Sequence, residues 1–199
     1  MAEGMRERKK RRTRETLIAA AVELFRRQGY EATTVAQIAA AADVSTRTFF
    51  LHFPTKEDVV LADAGMRVEL AVRIIEGRGA DESLPDVLAT AVERMISEVA
   101  GSDLATGMAD VRVELMLTVP DLQAWMLRRL LDAQRRIVDA LRRSYPEEGD
   151  VVAVGALVGA MMGAVTSAAA YALRRGDTPE EVTAAMRAAA GRVALSSSR

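Results

Sequence analysis

Hydrophobic residues recur at helical spacing along most of this chain, and no stretch of convincing length alternates with period two. The expected fold class is therefore all-α. Between Thr13 and Gln28, the residues Leu17, Ala20, Ala21, Leu24 and Phe25 form one apolar stripe, and Gly29 follows at the position where helix ends favour glycine. Thr34-x-x-Gln37 is a capping-box pattern that opens a short helix with Val35, Ile38 and Ala39 on one face. Residues 39–42 are all alanine, small enough for a second helix to cross closely. Asp43 tolerates a left-handed turn better than most residues, Val44 can plug the angle, and Ser45 can cap a helix from Thr46 to His52.

Two short helices joined by such a turn have helix-turn-helix layout, with the second helix placed to enter a DNA major groove. An ordinary pair of crossing core helices would show the same pattern. The following residues favour the first reading. Pro54 stops the second helix, Thr55-x-x-Asp58 caps a third, and Lys56 lies near that helix's N-terminus, where free N–H groups favour anions.

The remaining pattern predicts helices over about 56–76, 84–100, 103–118, 121–144 and 150–175, and a last one from Pro179 to about 195. With the first three this makes about nine. All five prolines fall at helix boundaries: Pro54, Pro85, Pro120, Pro146 and Pro179. Gly77 to Asp81 reads as a joint, Gly101 as a break, Ser83 as an N-cap and Gly176 as a stop. Thr178 and Glu181 read as the capping box of the last helix.

Charge divides the chain further. Net charge is −1 overall, but residues 1–60 carry +3 and the remainder −4, the pattern of a DNA reader on an acidic body. Residues 1–12 are polar and basic and are expected to be a disordered arm, either a solubilising tail or a segment laid along DNA phosphates or into the minor groove. The expected organisation is 1–12 arm, 13–55 DNA-binding domain and 56–199 helical body. There are no cysteines, which excludes disulfides, thiolate metal sites and cysteine nucleophiles. The single histidine, His52, has no second imidazole with which to share a metal. No carboxylate pair, nucleophile with its base or phosphate-cradling glycine loop stands out, so an enzyme, a metal site and a cofactor are not expected. Without an apolar signal core at the N-terminus, the expected location is cytoplasmic.

Residues from about 13 to 61 resemble the DNA-binding domain of the TetR family of bacterial transcriptional regulators. The resemblance rests on Ile18, Ala21, Leu24, Phe25, Gly29 and Tyr30, on Thr33-Thr34-Val35, Ile38-Ala39, Ala42 and Val44-Ser45, and on Thr48-Phe49, His52-Phe53 and Lys56-Glu57. It departs at Asp43, where the family usually has glycine, and at Phe50, which lacks the hydroxyl of the family's phosphate-touching tyrosine. The resemblance implies a homodimer that binds a palindromic double-stranded DNA operator as a ligand-responsive repressor. The expected DNA-binding set is Thr33, Thr34, Ser45, Thr46, Arg47, Thr48, Phe50, His52 and Lys56. Thr46 and Arg47 would read base edges, and Thr33, Thr48, His52 and Lys56 would hold phosphates. A ligand-independent DNA-binding protein and an activator remain alternatives.

Two stretches of the body invite a role. Residues 151–173 carry no charge and are long enough to cross a membrane, which takes ~20 apolar residues. With Ala, Gly, Thr166 and Ser167 inside and no aromatic belt, the stretch reads better as a helix buried on nearly all sides. Gly155, Gly159 and Gly163 form a smooth ridge. The family's dimer, built from the last two helices of each subunit, fits this ridge well and suggests Gly155, Gly159, Met162 and Gly163 as its interface, although the ridge could instead face a helix of its own subunit. Met95, Met108, Met116, Met126, Met161, Met162 and Met186 either fill the core or line a cavity for a lipophilic effector. The candidate ligand-binding residues are Met95, Met108, Arg112, Met116, Trp125, Met126 and Met162. Leu115 and Leu127 are possible neighbours, and Glu114 and Gln123 are further polar anchors.

Overall fold

The computed structural model describes residues 4–147 and 150–197. Among these residues there are ten α-helices and no strand. They are α1 Met5–Gln28, α2 Val35–Ala41, α3 Thr46–His52, α4 Lys56–Val60, α5 Ala64–Glu76, α6 Leu84–Val99, α7 Met108–Thr118, α8 Pro120–Ser144, α9 Val151–Arg175 and α10 Pro179–Ser197.

The expected caps are in place. Thr34 and Gln37, and Thr55 and Asp58, each bond reciprocally as capping boxes, and Ser83 accepts from the Asp86 backbone N–H. Thr178 and Glu181 bond in the same reciprocal way at the start of α10. Each cap satisfies backbone donors that a helix start would otherwise leave open.

Three expectations in the first 107 residues are corrected. First, the basic segment from Met5 to Arg12, expected to be disordered, continues α1. Its arginines, lysines and glutamate are good helix formers, and Arg11 approaches Glu15 one turn on. Second, the helix expected over 56–76 is two helices. Leu61 to Asp63 interrupt it, with Asp63 in the left-handed region at φ 65°. Third, the break expected at Gly101 lies at Gly107, whose φ is 72°. Gly101 instead sits in a π-helical turn, Ala100–Leu104, that extends α6. This wider turn carries Asp103, which is 2% exposed.

The helices close over two hydrophobic clusters. The first holds Leu17, Phe25, Ile38, Phe49 and Phe53 together with Val59 and Val60 of α4, and continues into Met108 and Leu115 of α7 and Leu122 and Met126 of α8. The second is formed among α5, α6, α8, α9 and α10 around Ile75, Leu88, Ile96, Leu141 and Val158. The packing of the first three helices therefore does not end at residue 55. It passes through α4 into the body.

Helix α9 is not buried on nearly all sides. Val152, Ala156, Ala160, Gly163, Ser167 and Tyr171 are exposed and follow one another at intervals of three or four, forming one stripe along the helix. By length and composition α9 could cross a membrane, and only 17% of its most apolar window is buried within the chain.

Candidate nucleic-acid interface and ligand cavity

The turn between α2 and α3 forms as its residues predict. Asp43 adopts φ 53°, and the Val44 N–H returns to the Ala39 carbonyl at 2.9 Å. The Ser45 hydroxyl accepts from the Thr48 N–H at 3.1 Å, starting α3. Phe49 is fully buried between Phe50 and Phe53, with ring centroids 5.5 and 5.8 Å away. That anchor turns Ser45, Thr46, Arg47 and Phe50 outward; all four are exposed, as is Thr34 at the start of α2. Thr48, His52 and Lys56 are half-buried at the edge of the same surface. Arg8, Lys9 and Arg12 of α1 line a groove with Ala42 and Val44, so the basic turns of α1 stand beside the turn.

Thr33 does not join this surface. It is 1% exposed, and its hydroxyl donates to the Gly29 carbonyl at 2.7 Å, so that hydroxyl closes the α1–α2 loop instead of facing a phosphate. Lys56 also has an internal task. Its Nζ donates to the carbonyls of Tyr30 (2.9 Å) and Thr33 (3.0 Å) and lies 3.9 Å above the Tyr30 ring. An ammonium has three N–H donors, so these two bonds leave a third for another acceptor. The Tyr30 hydroxyl donates to Glu57 at 2.7 Å. Burial first, then this bond to Glu57, push the phenol's pKa above its ordinary value.

His52 is held below its ordinary pKa by partial burial and then by the charges of Arg14 and Lys10. Arg14 was not singled out from the sequence, yet it ties three elements together. Its Nε donates to Asp63 at 2.8 Å and its Nη1 to the His52 carbonyl at 3.1 Å, while the guanidinium lies 4.2 Å from the Phe53 ring centre. The left-handed residue between α4 and α5 is thereby tied to the end of α3.

In the body, a cavity of about 400 Å³ lies among α5, α6, α7, α8, α9 and α10. Met95, Arg112, Met116, Met126 and Met162 line it, and so do Met161, Met186, Leu127 and Gln123. Met108 and Trp125 are not on its wall. Met108 is fully buried in the first cluster, and Trp125 packs against that cluster with the Arg129 guanidinium 5.1 Å from its ring. Leu115 is buried in the same cluster, and Glu114 is exposed. Gln123, Leu127, Arg129 and Leu130 of α8 both line the cavity and are exposed, which marks its mouth.

The cavity wall carries a buried charge cluster. Asp103 accepts from Arg67 at 2.9 Å and from Arg112 at 2.6 Å. Burial raises the Asp103 pKa, and the charges of Arg112 and then Arg67 outweigh that effect, leaving the carboxyl below its ordinary value. Burial lowers the pKa of Arg67, with Asp103 opposing. Arg67 escaped notice in the sequence because it looks like any surface charge on a helix. The available signal was its position one turn before Ala71 and two before Ile75, on the buried stripe of α5.

The glycine ridge is also redistributed. A Cβ on Gly159 would stand 2.8 Å from Gln134 Nε2, and Gln134 donates to the Gly155 carbonyl at 3.2 Å. Gly159 therefore faces α8 of the same chain, a Cβ on Gly155 would meet nothing within 4 Å although its carbonyl is held by α8, and Met162 faces the cavity. Gly163 belongs to the exposed stripe of α9. The expected four-residue interface thus points in three directions, because a four-residue step advances slightly more than one helical turn.

Comparison with known proteins agrees with this architecture. Residues 17–62 match the family described as bacterial regulatory proteins, tetR family, and residues 82–196 match the family described as MftR C-terminal domain. The chain belongs to the TetR family. Its helix-turn-helix, α2 and α3, lies within the residues matched to that family. It is 41% identical to the HTH-type transcriptional regulator TcmR of Streptomyces glaucescens over 139 residues, covering 67% of this chain and 61% of that protein's length. Among solved structures, the fatty acid degradation regulator FadR from Bacillus halodurans matches with a TM-score of 0.61 at 17% identity, covering 98% of this chain and 97% of that one. SmeT of Stenotrophomonas maltophilia, solved as a triclosan complex, matches at 0.54 and 20% identity over 90% of each chain. Thermus thermophilus FadR in complex with lauroyl-CoA matches at 0.50 and 24% identity, covering 92% of this chain and 93% of that one.

Proposed function

We propose that this protein is a dimeric, cytoplasmic, ligand-responsive repressor, released from a palindromic operator by a lipophilic small molecule. The observation that carries this reading is the position of α4 between the DNA-reading helices and the cavity. Arg112 on the cavity wall donates to the Val60 carbonyl at the end of α4 at 2.8 Å. Arg129 at the cavity mouth reaches Asp58 of the same helix at 2.6 Å. Lys56, at the start of α4, holds the loop that leads into α2. A ligand that rearranges the cavity wall thereby acts on the element that positions the motif.

In the DNA complex, Thr46 and Arg47 would meet base edges, since Arg can pair bidentately with guanine. Thr34, Ser45, Thr48, Phe50, His52 and Lys56 would surround the phosphates, with the basic face of α1 alongside. Two copies would place their α3 helices about one DNA turn apart, ~34–36 Å. The exposed stripe of α9, continued by Ala184, Ala188, Gly191 and Leu195 of α10, supports a four-helix contact between two chains. The cavity, at about 400 Å³, is within the range of small-molecule sites, ~300–1,000 Å³. The lauroyl-CoA and triclosan complexes of two relatives of this fold suggest the kind of occupant.

Ligand binding shifts the equilibrium only through differential affinity for the two states. The test therefore combines two readouts. A panel of lipophilic compounds is screened for a rise in thermal midpoint, which reports binding to the folded state. Active compounds are then added to the protein–operator complex in a mobility-shift assay. A ligand that raises the midpoint and releases DNA at matching concentrations supports the reading. A panel that does neither leaves a ligand-independent DNA-binding protein, and loss of reporter expression on deleting the gene would indicate an activator.

A further inference from the structure

Three side chains with a formal charge line the cavity, and all three are arginines: Arg67, Arg112 and Arg129. Among the described residues, no carboxylate lies on its wall. Asp103 sits behind the wall and is shared by Arg67 and Arg112. This buried cluster therefore holds two positive charges against one negative, among Val68, Ile96, Leu104 and Met116; Asp63, whose charge also acts on Arg67, is already paired with Arg14. The hydrogen bonds are unbalanced in the same direction. Arg67 Nη1 and Arg112 Nη2 are both buried and have no partner. The side chain of Arg67 is 9% exposed, so water does not readily supply the missing bond. Buried polar groups are normally paired, and an unpaired donor beside a cavity marks a place where a ligand can supply the acceptor.

We propose that the Arg67–Arg112 pair is the head-group site of the cavity and selects apolar ligands that carry one small anionic oxygen group, a carboxylate being the simplest. The proposal rests on the effector reading above and gives it a chemical class. A carboxylate offers two oxygens in the geometry that a guanidinium fork matches, and charge-assisted bonds of this kind are the stronger ones. Its charge would bring the buried cluster to neutrality, which an alcohol cannot do. A cationic amphiphile would meet three like charges. The methionines and leucines of the remaining wall would take the apolar part, whether chain or fused rings, because flexible side chains adapt to either shape.

The test compares acids with alcohols of the same skeleton: dodecanoate with dodecanol, and anthracene-2-carboxylate with anthracene-2-methanol, each below its aggregation limit. Dodecyltrimethylammonium is the cationic control. Binding is read from the thermal midpoint of the full chain and from calorimetry. At least one acid should bind about ten-fold or more tightly than its alcohol, and the cation should bind weakest. In Arg67→Met, the Arg112–Asp103 pair remains, the alcohol should bind as before, and the acid's advantage should shrink to about two-fold or less. Retained alcohol binding shows that the variant has folded. Equal binding of acid and alcohol in both pairs, or an unchanged preference in Arg67→Met, overturns the head-group site while leaving the effector reading intact. If neither acids nor alcohols bind, the head-group site falls, and the effector reading is decided by the wider panel and the mobility-shift assay.

Discussion

Arg112 Nε donates to the backbone carbonyl of Val60 at 2.8 Å, so a residue of the cavity wall holds the last turn of α4. The same guanidinium reaches Asp103 through Nη1 at 2.6 Å. One side chain thus spans the buried charge cluster and the helix that follows the helix-turn-helix. Beyond Val60, the chain reaches Asp63, which Arg14 ties to the end of α3. Hydrogen bonds and a short run of chain thus connect the cavity wall with α3, and these links can be cut singly.

Arg129→Ala cuts one of them. Its side chain is 54% exposed, so the bond to Asp58 contributes ~0–1 kcal/mol to stability, and the thermal midpoint should move little. Coupling should suffer more, because one of two grips on α4 is gone. The ratio of operator affinities without and with a saturating ligand should fall several-fold. Fluorescence anisotropy of labelled operator measures that ratio. An unchanged ratio would remove Arg129 from the route.

Arg47→Ala should alter specificity without altering the fold, since Arg47 is exposed on α3. Preference at one base position of each half-site should relax by ~1–3 kcal/mol. Binding-site selection from a random pool reads this directly. The parental consensus, recovered unchanged, would show that Arg47 does not read a base.

The motif was legible because every part of it is local. Capping boxes at Thr34 and Thr55, a tolerant Asp43 and a serine cap at Ser45 act within four residues of themselves. The proline and glycine boundaries were legible for the same reason. What could not be read depends on residues far apart in the chain. The break at Asp63 is held by Arg14, 49 positions earlier, and nothing in the local run from Lys56 to Glu76 announces it. The burial of Arg67 depends on Asp103, 36 positions later. Helical spacing assigned Met95, Met116, Met126 and Met162 to the body but could not separate the cavity wall from the neighbouring core, which is where Met108 belongs. The glycine ridge shows the same limit: spacing places Gly155 and Gly159 on one face, yet Gln134 of α8 stands against Gly159 while nothing lies within 4 Å of a Cβ on Gly155.

His52 should make operator affinity pH-dependent. Its folded-state pKa lies below the ordinary value, through burial first and then the charges of Arg14 and Lys10, so the free protein carries it neutral at pH 7. A phosphate beside the ring favours the imidazolium, and binding then takes up a proton. Affinity should rise as pH falls below ~6.5. Folding responds with the opposite sign, because a depressed folded pKa means that stability is full above ~6.5 and declines as pH falls toward the folded value. Anisotropy titrations between pH 8 and 5.5, with circular dichroism as a check on folding, separate the two. His52→Gln should flatten the affinity profile; a slope that survives in this variant would assign the proton to another group.

Asp103 should govern acid stability of the body. Burial raises its pKa, and the charges of Arg112 and Arg67 lower it further than burial raises it. A carboxylate with a depressed folded pKa contributes fully above its unfolded value, ~4, and loses that contribution as pH falls through the folded value. Denaturant midpoints should therefore decline below about pH 4 in the parent. Asp103→Asn leaves two guanidinia without their counter-charge, which should cost ~3–5 kcal/mol at pH 7 and flatten the acid decline. A variant as stable as the parent at pH 7 would mean that the arginines find other partners or water.

The exposed stripe of α9 gives the final prediction. Ala160 lies at its middle, exposed in the single chain, with Ala156 and Gly163 beside it. Small residues in such a row let a second helix approach closely, and a two-fold contact presents the same row from both sides. Ala160→Glu replaces a small exposed residue with another good helix former, so the isolated chain should fold normally. In the dimer, two unpaired carboxylates would be buried near the symmetry axis, where removal from water costs several kcal/mol per charge. The dimer dissociation constant should rise by ~100-fold or more, and operator affinity should fall with it because two half-sites are no longer bridged. Gly159→Leu is the internal comparison. Its side chain would press on Gln134 of its own α8, so it should lower the thermal midpoint and leave the oligomeric state as it was. Sedimentation velocity of both variants at several concentrations distinguishes the two faces. If Ala160→Glu remains dimeric while Gly159→Leu dissociates, the contact between chains involves the other face of α9.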